Sequence, residues 1–188
     1  MCVAAIAWNA HPRWRLVAIA NRDEFHARPA APLARWDNGI VAGRDLEAGG
    51  TWLGLAPGRF ALVTNRRADG YPRLGMASRG ALVTSALLDK DAGDPAAMNP
   101  FNLFAAGPDG ARLLTNYPDL EARSLAPGVH SLSNGGLDEP WFKKQAVEAA
   151  LTAWLRPGDD IETLFAPLAD DTRDPADPDS HYGAVFVR

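Results

Sequence analysis

The chain has one cysteine, Cys2, directly after the initiator methionine. Aminopeptidases that remove Met1 favour a small second residue, and cysteine qualifies. The mature chain would then begin with a thiol and an α-amine on the same residue. That amine has a reference pKa of ~7.7–8.0, so it can act as a base near neutral pH. It can take the proton of its own thiol, directly or through water, which activates a nucleophile without histidine. With Met1 retained, the nitrogen is an amide and this chemistry is lost. The plain alternative is a small buried residue that opens a strand, the usual condition of a free cysteine.

Other polar residues could assist. Asn21-Arg22-Asp23-Glu24 places an amide, a cation and two carboxylates together. Arg22 could lower the thiol pKa while a carboxylate holds the α-amine, although a charge run is usually a solvated turn. Asn65 and Asn134 each end an apolar run. An asparagine there is either a turn former or an amide donor suited to the oxyanion of a tetrahedral intermediate. His11, His26, His130 and His181 are widely spaced and show no metal-ligand pattern, so no metal site is predicted. No glycine-rich loop has a phosphate-binding or dinucleotide fingerprint.

The elements that must position these residues follow from hydrophobic patterning. Residues 2–9 and 15–20 are apolar runs joined by a Pro-containing break, the pattern of a buried β-hairpin. Residues 26–38, with Pro29 and Pro32, predict an irregular loop, and residues 40–42, 51–56 and 59–64 predict short strands. Gly43-Arg44-Asp45 and the Gly49-Gly50 pair predict tight turns. Ser78 is placed to cap a helix through Leu82, Leu87 and Leu88. Residues 101–106 and 111–115 predict a second hairpin, and residues 129–133 a further strand. Trp141, Val147, Leu151 and Trp154 form one helical stripe, with Pro140 in the first turn and Asp138 as cap. Asp159 and Glu162 have the spacing of a capping box, and residues 182–187 predict a closing strand.

Prominent hairpins with a few helices argue for mainly antiparallel sheets covered by helices. The 188 residues suit one domain, residues 1–188, and no repeat or linker divides them. A net charge of −4 gives no reason to expect nucleic acid as a partner. No apolar run reaches the ~20 residues of a transmembrane helix. A single cysteine and no secretory leader pattern predict a cytoplasmic protein.

Several short motifs, in order, carry a resemblance. Met1-Cys2, Ala20-Asn21-Arg22-Asp23-Glu24-Phe25 with Arg28-Pro29, Gly43-Arg44-Asp45 and Gly49-Gly50-Thr51-Trp52-Leu53-Gly54 resemble the signature of the NRDE family. Thr64-Asn65-Arg66, Phe101-Asn102-Leu103, Leu132-Ser133-Asn134 and Leu137-Asp138-Glu139-Pro140-Trp141 extend it. This family includes the transport and Golgi organisation 2 proteins. The resemblance implies an α+β fold of the N-terminal-nucleophile hydrolase type: a four-layer αββα sandwich of mainly antiparallel sheets, here abbreviated. More distant relatives, the bile-salt hydrolases and penicillin V acylases, cleave non-peptide amide bonds with an N-terminal cysteine. Asn65 and Asn134 look similar to their oxyanion-side and substrate-side asparagines. Their arginine–aspartate pair is matched either by Arg22 and Asp23 or by Asn21 and Glu24, and the register stays open. Those amidases carry another arginine near the C-terminal end. Here Tyr182-Gly183 is followed by apolar residues, and the nearest arginine is Arg188.

Two functions therefore compete. In the first, Cys2 is the nucleophile of an amidohydrolase acting on a small acyl amide, assisted by Asn21, Arg22, Asp23, Glu24, Asn65 and Asn134, with no cofactor required. In the second, the fold is a non-catalytic carrier or chaperone. Animal members of the family are linked to haem handling and to lipid or acyl-CoA metabolism, so the resemblance implies those ligands.

Overall fold

The computed structural model describes residues 2–156, 160–177 and 183–187. In chain order its elements are β1 (Cys2–Trp8), β2 (Leu16–Arg22), β3 (Ala30–Arg35), β4 (Val41–Asp45), β5 (Leu53–Ala56), β6 (Arg59–Asn65) and α1 (Gly80–Leu88). There follow β7 (Phe101–Gly107), β8 (Gly110–Thr115), β9 (Glu121–Leu125), β10 (Gly128–Leu132), α2 (Phe142–Trp154) and α3 (Phe165–Leu168). Single 3-10 turns occupy Pro95–Ala97 and Ile161–Leu164. Packing groups the described residues into two units, one from the segments 1–23 and 126–188 and one from 24–125.

The first unit is built on an antiparallel sheet of order β10-β1-β2. Residues 3–8 of β1 are all buried, as expected of an apolar run with no polar alternation. Val3, Ala5 and Ala7 pack with Ile19 of β2 and with Val147, Leu151 and Trp154 of α2. The β1–β2 turn closes where the Asn9 N–H donates to the Arg15 carbonyl at 2.8 Å, with Asn9 at φ 46°. Asparagine tolerates that left-handed backbone better than most residues.

The second unit holds a sheet in which seven strands follow chain order from β3 to β9, each antiparallel to its neighbour. Sequential hairpins need only short connections, which favours this order. Helix α1 covers one face through Leu82, Val83 and Leu87, packed on Ile40, Ala42, Ala61, Val63, Phe101 and Leu103. Gly50 and Gly80 let this helix start against the loop before β5. A Cβ on Gly50 would lie 2.8 Å from the Gly80 carbonyl carbon, closer than real Cβ contacts allow.

Several expectations change. Residues 30–35 form a strand despite Pro32. β3 is an edge strand with a register shift between Ala31 and Ala34, and at a bulged edge a missing N–H costs no ladder bond. Gly43-Arg44-Asp45 lies within β4 rather than a turn, and β9 is a strand where none was expected. Its mostly exposed, polar sequence explains the weak signal. Ser78 does serve the start of α1, its Oγ accepting the Gly80 N–H at 3.3 Å, although Arg79 holds the cap position. Helix α2 begins at Phe142 with Trp141 as its cap, so neither Pro140 nor Asp138 has the expected place. Asp159 lies outside the described residues; Asp160 accepts the Glu162 N–H at 3.0 Å and caps the turn there. Residues 183–187 form bends and no strand, and Tyr182, His181 and Arg188 lie outside the described residues.

Candidate active site around Cys2

Cys2 is the first residue of β1 and is half-buried. Its backbone is held from the β10 side. The Cys2 N–H donates to Asn134 Oδ1 at 3.2 Å, and Ser133 Oγ donates to the Cys2 carbonyl at 3.1 Å. Both partners lie just beyond β10, which pairs with β1 from Ala4–Leu132 to Trp8–Gly128. The loop that follows is tied to the start of α2. Lys144 Nζ donates to the carbonyls of Leu137 and Glu139, and Trp141 Nε1 donates to Glu139 Oε2 at 2.8 Å. Buried Asn134 is thus held at both ends of a short, fixed segment.

The register of β1 against β2 places Arg22 and Asn21 on opposite faces of the sheet. Cys2 pairs with Arg22 and Val3 with Asn21. Paired residues of an antiparallel sheet leave it on the same face. Val3 belongs to the core under α2, so Asn21 shares the helix-covered face, while Arg22 shares the face of the thiol. Asn21 Nδ2 donates to the carbonyls of Leu168 (2.7 Å) and Val185 (3.0 Å), fastening β2 to the end of α3 and to the last described segment. Its amide is occupied with backbone.

Asp23 follows β2 and touches the nucleophile through its backbone, whose N–H bonds to the Cys2 sulfur. Its carboxylate lies 3.7 Å from Lys143 Nζ, and these side chains are 13% and 1% exposed. Burial pushes the Asp23 carboxyl up, and the Lys143 ammonium works against it. Burial likewise pushes the Cys2 thiol up. The positively charged N-terminus, the Asp23 N–H and, least, the Lys143 ammonium favour the thiolate, and the Asp23 carboxylate opposes it. Cys2, Asp23, Asn134 and Lys143 thus form one cluster within the first unit, with Arg22 on the thiol's face of the sheet.

Glu24 and Asn65 belong to the second unit. Glu24 Oε1 accepts the N–H of its neighbour Phe25 at 3.0 Å, and Asn65 is the exposed last residue of β6, opposite Phe101. Other residues of the sequence signature have visible structural work there. Arg28 Nε and Nη2 donate to Asp45 Oδ2 at 2.9 and 2.8 Å, and Asp45 Oδ1 accepts the N–H groups of Glu47 and Ala48. Arg44 stacks over Trp36, 4.2 Å from its ring centroid. Among the described residues, no group of three His, Cys, Asp or Glu side chains could hold a metal ion. No helix among them is long and apolar enough to cross a membrane.

The sequence profile of the Transport and Golgi organisation 2 family matches residues 1–187. The chain belongs to that family. It is 33% identical to the Transport and Golgi organization protein 2 homolog of Bos taurus, covering 100% of this chain and 83% of that protein. The Homo sapiens homolog is 34% identical over 76% of this chain, a region that spans 60% of the human protein. Among solved structures, the Caenorhabditis elegans N-acylethanolamine-hydrolyzing acid amidase ortholog superposes with a TM-score of 0.50. The match covers 89% of this chain and 86% of that one. At 12% identity this likeness carries the fold alone. The fold is therefore α+β, of the N-terminal-nucleophile hydrolase type, as the sequence signature implied.

Sequence reasoning passed over Lys143 and Ser133. A signal for Lys143 was present: it lies four residues before Val147, on the line of Val147, Leu151 and Trp154, the buried residues of α2. A lysine in the register of a buried stripe requires a partner inside. Ser133 had no comparable signal, because its role depends on where β10 ends against β1.

Proposed function

We propose that this member of the Transport and Golgi organisation 2 family is an N-terminal cysteine amidohydrolase acting on the acyl amide of a small molecule. One observation carries the reading: the Cys2 nitrogen already has an acceptor in Asn134 Oδ1, while the Cys2 sulfur receives the Asp23 N–H. Once Met1 is removed, that nitrogen is the α-amine, oriented by Asn134 beside its own thiol. The amine takes the thiol proton, and the thiolate attacks the substrate carbonyl carbon. A C–S bond forms and the carbonyl π pair moves to oxygen. Collapse breaks the C–N bond, the α-ammonium returns the proton to the leaving amine, and water hydrolyses the thioester. The resemblance gives a charge role to Arg22; Asn21 is a weaker assistant given its bonds to backbone.

A second reading has its own support. Burial pushes the Cys2 thiol up, which suits an unreactive residue in a carrier. Its ligand would be haem or a lipid or acyl-CoA, as the resemblance implies. Two open grooves are lined by Gln145 and Glu148 of α2 with Arg156 just past its end, and by Ala31, Leu33 and Trp52 beside β3.

The test is intact mass and N-terminal sequencing, followed by hydrolysis assays on a panel of acyl amides of varied chain length. The hydrolase reading expects a chain that begins at Cys2 and turnover lost by at least about 10³-fold in Cys2→Ala. A purified chain that keeps Met1 and cleaves nothing would overturn it and favour the carrier.

A further inference from the structure

Lys143 lies in the second position of α2, where three conditions work against a lysine. Its side chain is 1% exposed, so its ammonium has lost nearly all its water. It sits in the first turn of a helix, where the backbone dipoles present positive charge and no acidic residue offsets it. Its carboxylate neighbour, Asp23, stands at 3.7 Å, beyond an ideal charge-assisted hydrogen bond. The position continues the apolar line of Val147, Leu151 and Trp154, so a methionine would suit folding better. A charge kept at such a position needs a reason outside packing, and the nearest chemistry is the thiol of Cys2.

We propose that Lys143 is the positioning residue of the Cys2 site: its buried ammonium holds the Asp23 carboxylate and balances the negative charge of the thiolate. The inference rests on the hydrolase reading for its purpose and on thiol reactivity for its test. Asp23 joins the two groups, since its N–H meets the Cys2 sulfur while its carboxylate faces Lys143. The positively charged N-terminus and Lys143 both favour an ionised Cys2 beside the Asp23 carboxylate, and without Lys143 the N-terminus alone would face two negative charges in a buried setting. With Lys143, thiolate, Asp23 carboxylate, Lys143 ammonium and N-terminal ammonium together come to net zero. The positively charged N-terminus also acts on both Cys2 and Asp23, while the side chains of the elements packed against α2 are turned elsewhere. His130 of β10 bonds the Ala126 carbonyl, Glu162 of the 3-10 turn is exposed, and Glu148 of α2 itself accepts from Ser131. Lys144 points back to the Leu137 and Glu139 carbonyls. The arrangement brings a buried cation from α2 to the carboxylate of Asp23, whose N–H meets the Cys2 sulfur.

Because Cys2 is the only cysteine, iodoacetamide labelling reads this site alone. The rate of alkylation is measured against pH for wild type, Lys143→Met, Lys143→Arg, Asp23→Asn and the double variant, each with its N-terminus established by intact mass. Lys143→Met is expected to move the midpoint up by about one pH unit or more, and Lys143→Arg to keep most of the wild-type profile. An unchanged midpoint in a folded Lys143→Met, or an equal shift in both lysine variants, would overturn the proposal. If Lys143→Met fails to fold, the double variant, which buries no charge at this pair, is compared with Asp23→Asn. A higher midpoint in the double variant supports the role, and equal midpoints reject it. A chain that shows these shifts yet cleaves no amide loses the hydrolase reading and keeps this one. A chain that cleaves amides with no shift in the lysine variants does the reverse.

Discussion

Asp23 and Asp45 are both buried to similar degrees at the surface of their units, yet their carboxyls move in opposite directions. Burial raises both. At Asp45 it is outweighed by two hydrogen bonds from Arg28 and by the N–H groups of Glu47 and Ala48, so the carboxyl ends below its ordinary range. At Asp23 the lysine stands further off and burial prevails. Depth of burial and hydrogen-bond geometry together set the opposite directions. Asp45, with its folded pKa depressed, contributes stability that is present above the unfolded carboxyl pKa of ~3.9 and is lost as pH falls through the lower folded value. Asp45→Ala should cost about 1–3 kcal/mol at pH 7. In urea melts across pH 7 to 2, the gap between variant and wild type should close only in the acid range. A gap independent of pH would mean the loss is one of packing.

At the scale of elements, the sheets constrain the residues more than the helices do. The β1–β2 register sends Arg22 and Asn21 to opposite faces, and the end of β10 fixes where Ser133 and Asn134 meet Cys2. In the second unit, the approach of α1 to the loop before β5 leaves no room for side chains at Gly50. Gly50→Ala must displace the Gly80 backbone, and a cost of about 1–3 kcal/mol in chemical denaturation is expected. Gly49→Ala, at a neighbouring position with open space but a φ of +75°, should destabilise through backbone strain instead. Equal tolerance of alanine at Gly50 and at an exposed helix position would show that the helix can shift without loss.

Across the whole molecule, the first unit draws on both ends of the chain, residues 1–23 and 126–188. The bond between Cys2 and Asn134 spans 132 positions. The Cys2 backbone is held by Ser133 and Asn134, both beyond Leu125, so the β1–β2 hairpin alone does not fix the thiol in its half-buried place. A chain ended after Leu125 should therefore lose the upward push on Cys2. Its alkylation midpoint should fall toward the ~8.5 of an ordinary thiol. A truncated chain with the full-length pH profile would mean that the hairpin encloses its own cysteine.

Strands β1, β6 and β7 and helix α2 were legible in the sequence because each rests on a local apolar pattern that its final neighbours merely confirm. The chemical focus on Cys2 was equally local, a matter of residue type and position. β3 and β9 were not legible, since an edge strand needs a neighbour's hydrogen bonds more than an apolar face of its own. Which of Asn21 and Arg22 faces the thiol was not legible, because a shift of a single residue in register reverses every side chain and leaves composition unchanged. Lys143 was visible as a lysine on an apolar stripe, but only folding brought it to Asp23 and so to the thiol. Local patterns determine which segments become strands and helices; which charges meet is decided when segments far apart in sequence share a low-dielectric interior, where a few ångströms set the sign of the effect.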